Sequence, residues 1–143
     1  MSLSEERSGI FNLNEAAAWN QAEVSGQGPV RIKTNPSQWA YATLFPIHDD
    51  PERPLAKAGA LLVRVDAEVE VGAIGIAIAE RTLSKFISPE VRQAAGGGRI
   101  TVEIPLNAPP ADCWLVIRNA AGGNTSSLAA IHRIQTFVTP VAD

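Results

Sequence analysis

Ala60-Leu-Leu-Val-Arg-Val-Asp-Ala-Glu-Val-Glu-Val71, then Gly72, then Ala73-Ile-Gly-Ile-Ala-Ile-Ala-Glu80, sets two period-two patterns end to end. In the first, Leu61, Val63, Val65, Val69 and Val71 share one side, while Arg64, Asp66, Glu68 and Glu70 share the other. Successive side chains of a strand point to opposite faces, so this is a strand with one buried and one wet face. In the second, Ile74, Ile76 and Ile78 lie on one face and Ala73, Gly75, Ala77 and Ala79 on the other. The two segments read as neighbouring strands. The Ala/Gly face leaves room above the sheet, to be closed by another part of the chain or by a ligand.

The same alternation recurs outward from this pair. Arg99-Ile-Thr-Val-Glu-Ile-Pro-Leu106 buries Ile100, Val102, Ile104 and Leu106, and Pro105, which has no N–H, marks a strand end or a sheet edge. After a loop rich in Pro and Ala, Asp112-Cys-Trp-Leu-Val-Ile-Arg118 is apolar on both faces, as a central covered strand is. Asn119-Ala-Ala-Gly-Gly-Asn-Thr-Ser126 is a turn sequence, and an extended pattern from Ser127 to Val138 follows it, which implies a long hairpin. That last strand has two phases, one joining Leu128, Ala130, His132 and Ile134 and one joining Ile131 and Phe137, as a bulge produces. Earlier, Val30–Thr34 and Trp39–Phe45 are short strands around Asn35-Pro-Ser37, which brings the count to about seven. Asn14 ahead of Glu15-Ala-Ala-Ala-Trp19 offers one or two helical turns, whereas Ser88–Ala95 suits a helical turn or a strand.

Short strands at this spacing, without helices long enough for parallel crossovers, predict an all-β, antiparallel two-sheet β-sandwich with at most one or two short helical turns. The division is an N-terminal, partly irregular segment 1–29, a sandwich domain 30–138 and a tail 139–143. At 143 residues and 45% hydrophobic content, the chain can bury a core without metals or disulfides.

Composition also narrows function. The net charge of −3 comes with scattered Lys and Arg, unlike the basic footprint of nucleic-acid binding. No apolar run approaches bilayer length. Cys113, the single cysteine, has no internal disulfide partner and reads as a small buried hydrophobe. Met1–Ile10 lacks an apolar leader core, so a cytoplasmic location is expected and the sequon Asn124-Thr-Ser126 carries little weight.

Catalytic signatures are sparse. Gly96-Gly-Gly98 leads into a strand with no Lys-Ser or Lys-Thr behind it, so it is a turn and not a phosphate cradle. His48-Asp49-Asp50 lacks the further donors a metal needs and reads as a solvated loop, and Glu68 and Glu70 belong to a wet strand face. No cofactor or metal is implied. The suggestive grouping is Trp39 and Tyr41 with Arg31, Lys33, Arg118, Asn119, Asn124 and His132. Aromatic faces stack on the C–H face of a sugar while Arg and Asn bond its hydroxyls. Alternatively, Trp39, Tyr41 and Trp114 are core aromatics.

Gln38-Trp-Ala-Tyr-Ala42, Gly59 before a long strand, Glu70-Val-Gly-Ala-Ile-Gly-Ile76, and Leu115-Val-Ile-Arg-Asn119 before a final long strand form a familiar order over Val30–Val138. It resembles the jelly-roll β-sandwich domains, similar to carbohydrate-binding modules, that accompany bacterial FkbM-type methyltransferases and glycosyltransferases. The resemblance implies a non-catalytic accessory role toward a carbohydrate ligand, with a methyltransferase or glycosyltransferase as partner. Two other readings stand beside it: a structural, homo-oligomerising domain with no small ligand, and a small hydrolase or isomerase using His48, Asp49 or His132.

Overall fold

In a computed structural model, which describes residues 5–7, 9–26, 28–107, 109–110 and 112–140, each of the alternating segments is a strand. The strands are Glu5–Glu6 (β1), Ala17–Ala18 (β2), Glu23–Ser25 (β3), Val30–Lys33 (β4), Tyr41–Pro46 (β5) and Ala58–Val71 (β6). Ala73–Glu80 (β7), Val91–Ala94 (β8), Arg99–Asn107 (β9), Cys113–Asn119 (β10) and Leu128–Pro140 (β11) complete them. One sheet has the order β3-β4-β11-β6-β9, with β1 also against β11, and the other the order β2-β5-β10-β7-β8. All pairings are antiparallel. The ends of the chain, 1–4 and 141–143, lie outside the described residues, as do Ala108 and Ala111 of the Pro/Ala loop.

The core lies between the sheets. Val63, Val65 and Ala67 of β6, Ile104 of β9 and Ile131 of β11 face Ile74, Ile76 and Ile78 of β7 with Leu115 and Ile117 of β10, all of them buried. Each large side chain so removed from water stabilises the fold by about 1.5–3 kcal/mol. Val71, placed with the inward set by its phase, is exposed because it stands at the very end of β6.

The three turn sequences do not make hairpins. β6 and β7 are consecutive but belong to opposite sheets, and the same is true of β4 and β5 and of β10 and β11. Alternation reports which side of a strand is buried, not which strand lies beside it, so neighbouring segments and partner strands look alike in sequence. At the first crossing Gly72 takes φ +77°, and any Cβ there would collide with Ser127 Oγ. A residue with a side chain would meet both a backbone penalty and a clash at that point.

Other local readings resolve simply. Pro105 is on β9, an edge strand. Ala129 and Ile131 of β11 are buried, and after the register shift at His132 the buried positions become Thr136 and Val138. One extra residue converts the odd phase to the even one, which reconciles the two competing patterns. Ser88–Ala95 contributes β8, a strand, and the segment around Asn14 contributes a 3-10 turn, Leu13–Glu15, followed by β2. Among the described residues, no helix is long and apolar enough to cross a membrane.

Cys113 is buried in the core, and burial, with Asp112 and Asp49 nearby, pushes its thiol up to about 12. The thiolate is the nucleophile, and at pH 8 almost none is present. Iodoacetamide at pH 8 is therefore expected to leave the native protein unlabelled and to label it fully in denaturant, as read by mass spectrometry. Rapid native labelling would contradict this placement.

Candidate functional site

The Ala/Gly face of β7 looks outward from its sheet, and the chain itself covers it. Register places Ala79 beside Trp114, Ala77 beside Val116 and Gly75 beside Arg118, with β5 beyond β10 carrying Leu44 and Tyr41. Leu44, Ala79 and Val116 form a second, smaller apolar cluster under Tyr41, Leu83, Phe86 and Trp114. Phe86 bridges to Ala79 at the sheet margin, and its ring stacks on that of Tyr41 with centroids 6.2 Å apart and an interplanar angle of 20°. Small side chains on β7 are what allow Phe86 to lie across the sheet. Gly75 does the same for Glu90, since a Cβ at that position would strike the Glu90 carboxylate.

Glu90 in turn clamps Arg118. Arg118 donates from Nε to Glu90 Oε2 at 2.6 Å and from Nη2 to Oε1 at 2.7 Å, and the two side chains are only 22% and 20% exposed. The guanidinium carbon sits 4.6 Å from the ring centroids of both Trp39 and Phe86. A planar cation between two rings and bound in bidentate fashion has little freedom left. Trp39, stacked on the far side, is 45% exposed.

The backbone holds Trp39 in place. Its φ is +71°, which is costly for a residue with a large side chain, and its N–H donates to Asn119 O at 2.6 Å. Ser37 N donates to Asn35 Oδ1, shaping the loop that leads to it. Beside the indole, a cavity of about 410 Å³ is lined by Asn20, Asn35, Ser37, Gln38, Trp39 and Ala40. It offers an aromatic wall, amides and a hydroxyl, and no ionisable group.

Of the residues singled out in sequence, Trp39, Tyr41 and Arg118 are thus brought together. Asn119 lies directly beneath them and is fully buried. Its Nδ2 donates to the carbonyls of Asn35, Ser37 and Thr125, while its Oδ1 accepts from Ala121 N and Ser127 Oγ. Asn124 is exposed at φ +56° in the next loop. Arg31, paired with Glu70 at 3.6 Å, and His132, 3.7 Å from Glu68, occupy the outer face of the other sheet. Arg64–Glu103 and Thr101–Asp66 also decorate that face.

The His48 segment braces a loop. His48 Nε2 contacts Glu15 Oε2, Asp49 accepts from Leu55 N, and the Glu52 N–H, followed by Arg53, holds the Asp50 carboxyl below the usual range. Among the described residues, no group of three His, Cys, Asp or Glu side chains is placed to hold a metal ion.

No protein-family profile matches the chain, and no curated protein does. Solved structures match it end to end. The xylan-binding domain CBM22-1 of Paenibacillus barcinonensis Xyn10C superposes with a TM-score of 0.61 at 7% identity, covering 98% of this chain and 95% of that one. The module CBM6cm-2 of Cellvibrio mixtus lichenase 5A, solved with cellotriose, gives 0.54 at 12% identity, with coverage of 93% and 96%. A variant of the family 29 module CBM29-2, solved with mannohexaose, gives 0.54 at 14% identity, with coverage of 96% and 92%. The fold is that of the carbohydrate-binding β-sandwiches.

Within that sandwich, several residues that build the site carry no mark in the sequence. Glu90 and Phe86 lie in a segment with no clear period, and Asn20, Asn35 and Gln38 are ordinary loop residues. The available signal was the Ala/Gly stripe, which states that something must lie above it but not what.

Proposed function

We propose that this chain is a non-catalytic carbohydrate-binding module whose ligand stacks on the free face of Trp39. One observation carries the reading: a large indole, nearly half exposed, is held in a strained backbone conformation over a clamped cation and beside an amide-lined cavity. Backbone strain at an exposed aromatic serves no packing purpose, and strain of this kind concentrates where ligands are held. The amide groups of Asn20, Asn35 and Gln38 each bond one backbone carbonyl and keep a second hydrogen for a hydroxyl, Arg118 supports the indole, and Asn119 fixes its loop. The solved relatives with the same fold include binders of xylan, cellotriose and mannohexaose, which supports a saccharide ligand. The role is accessory: the module brings a glycan to a methyltransferase or glycosyltransferase that acts on it.

The test is calorimetric titration against gluco-, xylo- and manno-oligosaccharides. Trp39→Ala is expected to weaken the binding tenfold to a hundredfold, in line with about 1–3 kcal/mol for a stacked ring. Trp39→Gly is expected to lose binding equally while Tm changes little, because relief of about 1–2 kcal/mol of left-handed strain offsets the lost cation–π contact. Undiminished binding by both variants, or no saturable binding across the panel, would overturn the proposal.

A further inference from the structure

Trp19 is the other exposed tryptophan, 42% accessible, and it leads into the loop whose Asn20 bonds Tyr41 and Asn35. Its N–H donates to Ala42 O at 3.0 Å, so it adjoins the start of β5, two residues beyond which Trp39 precedes Tyr41. β2 pairs Ala17 with Leu44, whose side chain belongs to the outer apolar cluster of this sheet. Trp19 follows directly on β2, at the margin of that sheet, and its side chain stays in water. Next to Trp19 in the chain stands Asn20, at φ +51°, whose Nδ2 donates to Tyr41 O at 3.0 Å and whose carbonyl accepts from Asn35 Nδ2 at 3.0 Å. Asn20 lines the cavity beside Trp39, and Trp19 lies past it, outside the lining.

We infer that Trp19 is a second stacking surface of the Trp39 site, and that the ligand is an uncharged saccharide of at least two rings. The inference rests on the carbohydrate-binding reading of Trp39. One exposed tryptophan walls the amide-lined hollow, the other is the chain neighbour of Asn20, which lines it, and no packing demand accounts for the exposure of either. A single ring seated on Trp39 stays within the hollow, so only a longer ligand reaches beyond Asn20. The lack of charge follows from the electrostatics: the cavity lining is neutral, and the charge of Arg118, the cation nearest Trp39, is already met by the Glu90 carboxylate that it grips through Nε and Nη2. An acidic sugar would lose hydration there with no cation in the lining to meet it.

Calorimetry and tryptophan fluorescence with xylose, glucose and mannose, with their oligomers of two to four units, and with oligogalacturonates of equal length test this. In the neutral series that binds, affinity is expected to rise at least tenfold from one unit to two. Trp19→Ala removes that gain while leaving the single-unit affinity within twofold, and Trp19→Phe, which keeps a flat ring, retains most of it. Trp39→Ala weakens every length. Oligogalacturonates bind at least tenfold more weakly than the neutral series. A length profile unchanged by Trp19→Ala, or galacturonates that bind as well as neutral oligomers, would overturn the inference and leave the Trp39 reading intact. A panel with no saturable binding would sink both.

Discussion

Asn119→Ala is expected to lower the unfolding free energy by about 3 kcal/mol, chiefly through two buried hydrogen bonds worth about 1–3 kcal/mol each when a partner is left unsatisfied. The side chain donates to three carbonyls with two hydrogens, so one is shared, and it accepts from a backbone N–H and from Ser127 Oγ. Ser127 Oγ also accepts from Ala73 N, and Ser127 N donates to Thr34 Oγ1. The network therefore joins the loops that pass between β4 and β5, between β6 and β7 and between β10 and β11, three of the sheet-to-sheet crossings at this end of the sandwich. Without Asn119, the buried Ala121 N–H and Ser127 hydroxyl lose a partner out of reach of water, and three half-buried loop carbonyls lose theirs as well. Urea denaturation reads the effect directly, and a loss under 1 kcal/mol would refute the role assigned to this network. Ser127→Ala, which removes fewer partners, is expected to cost less than half as much.

Glu90→Ala is the second large effect. It leaves the Arg118 guanidinium largely shielded from water between Trp39 and Phe86, with both of its directed hydrogen bonds gone. Removing one member of a fully buried pair costs about 3–5 kcal/mol, and the residual exposure of about a fifth reduces that here to about 2–3 kcal/mol. Arg118→Ala with Glu90→Ala closes a double-mutant cycle, for which the expected coupling is about 2 kcal/mol. A coupling near zero would mean that the pair behaves as an ordinary surface bridge. Arg118→Lys is not a conservative control, because an ammonium can neither fork onto a carboxylate nor stack between two rings. Since Arg118 is the floor under Trp39, Glu90→Ala is also expected to weaken saccharide binding severalfold.

What could be read in the sequence followed from faces. The alternation in Ala60–Val71 and Ala73–Glu80 reports inside and outside, and those assignments hold along both strands up to Val71. Pro105 announces an edge and the double phase of Leu128–Val138 a bulge, because each is a local backbone constraint. Partnership between strands is not local. Gly72, Asn35-Pro-Ser37 and Asn119–Ser126 have turn chemistry whether the chain reverses within a sheet or steps across to the other one. The same limit governs the site: Tyr41 and Arg118 share one strand pair and were legible with Trp39, which stands in the turn before β5 and not on the predicted strand, whereas Glu90 and Phe86 reach them from the segment before an edge strand whose position only the assembled sheet defines. Asn119 was visible as a polar residue ending an apolar strand, a pattern that fits a ligand contact and a buried brace equally well.

The place of β11 in its sheet has a kinetic consequence. It is the last of the described strands in the chain, yet it lies in the middle, hydrogen-bonded to β4 on one side and β6 on the other, with β1 also against it. A ribosome delivers the chain from the other end, so β4 and β6 emerge with their inner faces apolar and no strand to stand between them. That sheet cannot close stepwise as it is made; it must wait for residues 128–140 and then form across long separations, which is slow. Until then the side chains of Val63, Val65 and Ile32, buried in the finished sheet, stay open to water, the kind of surface through which unfinished chains aggregate.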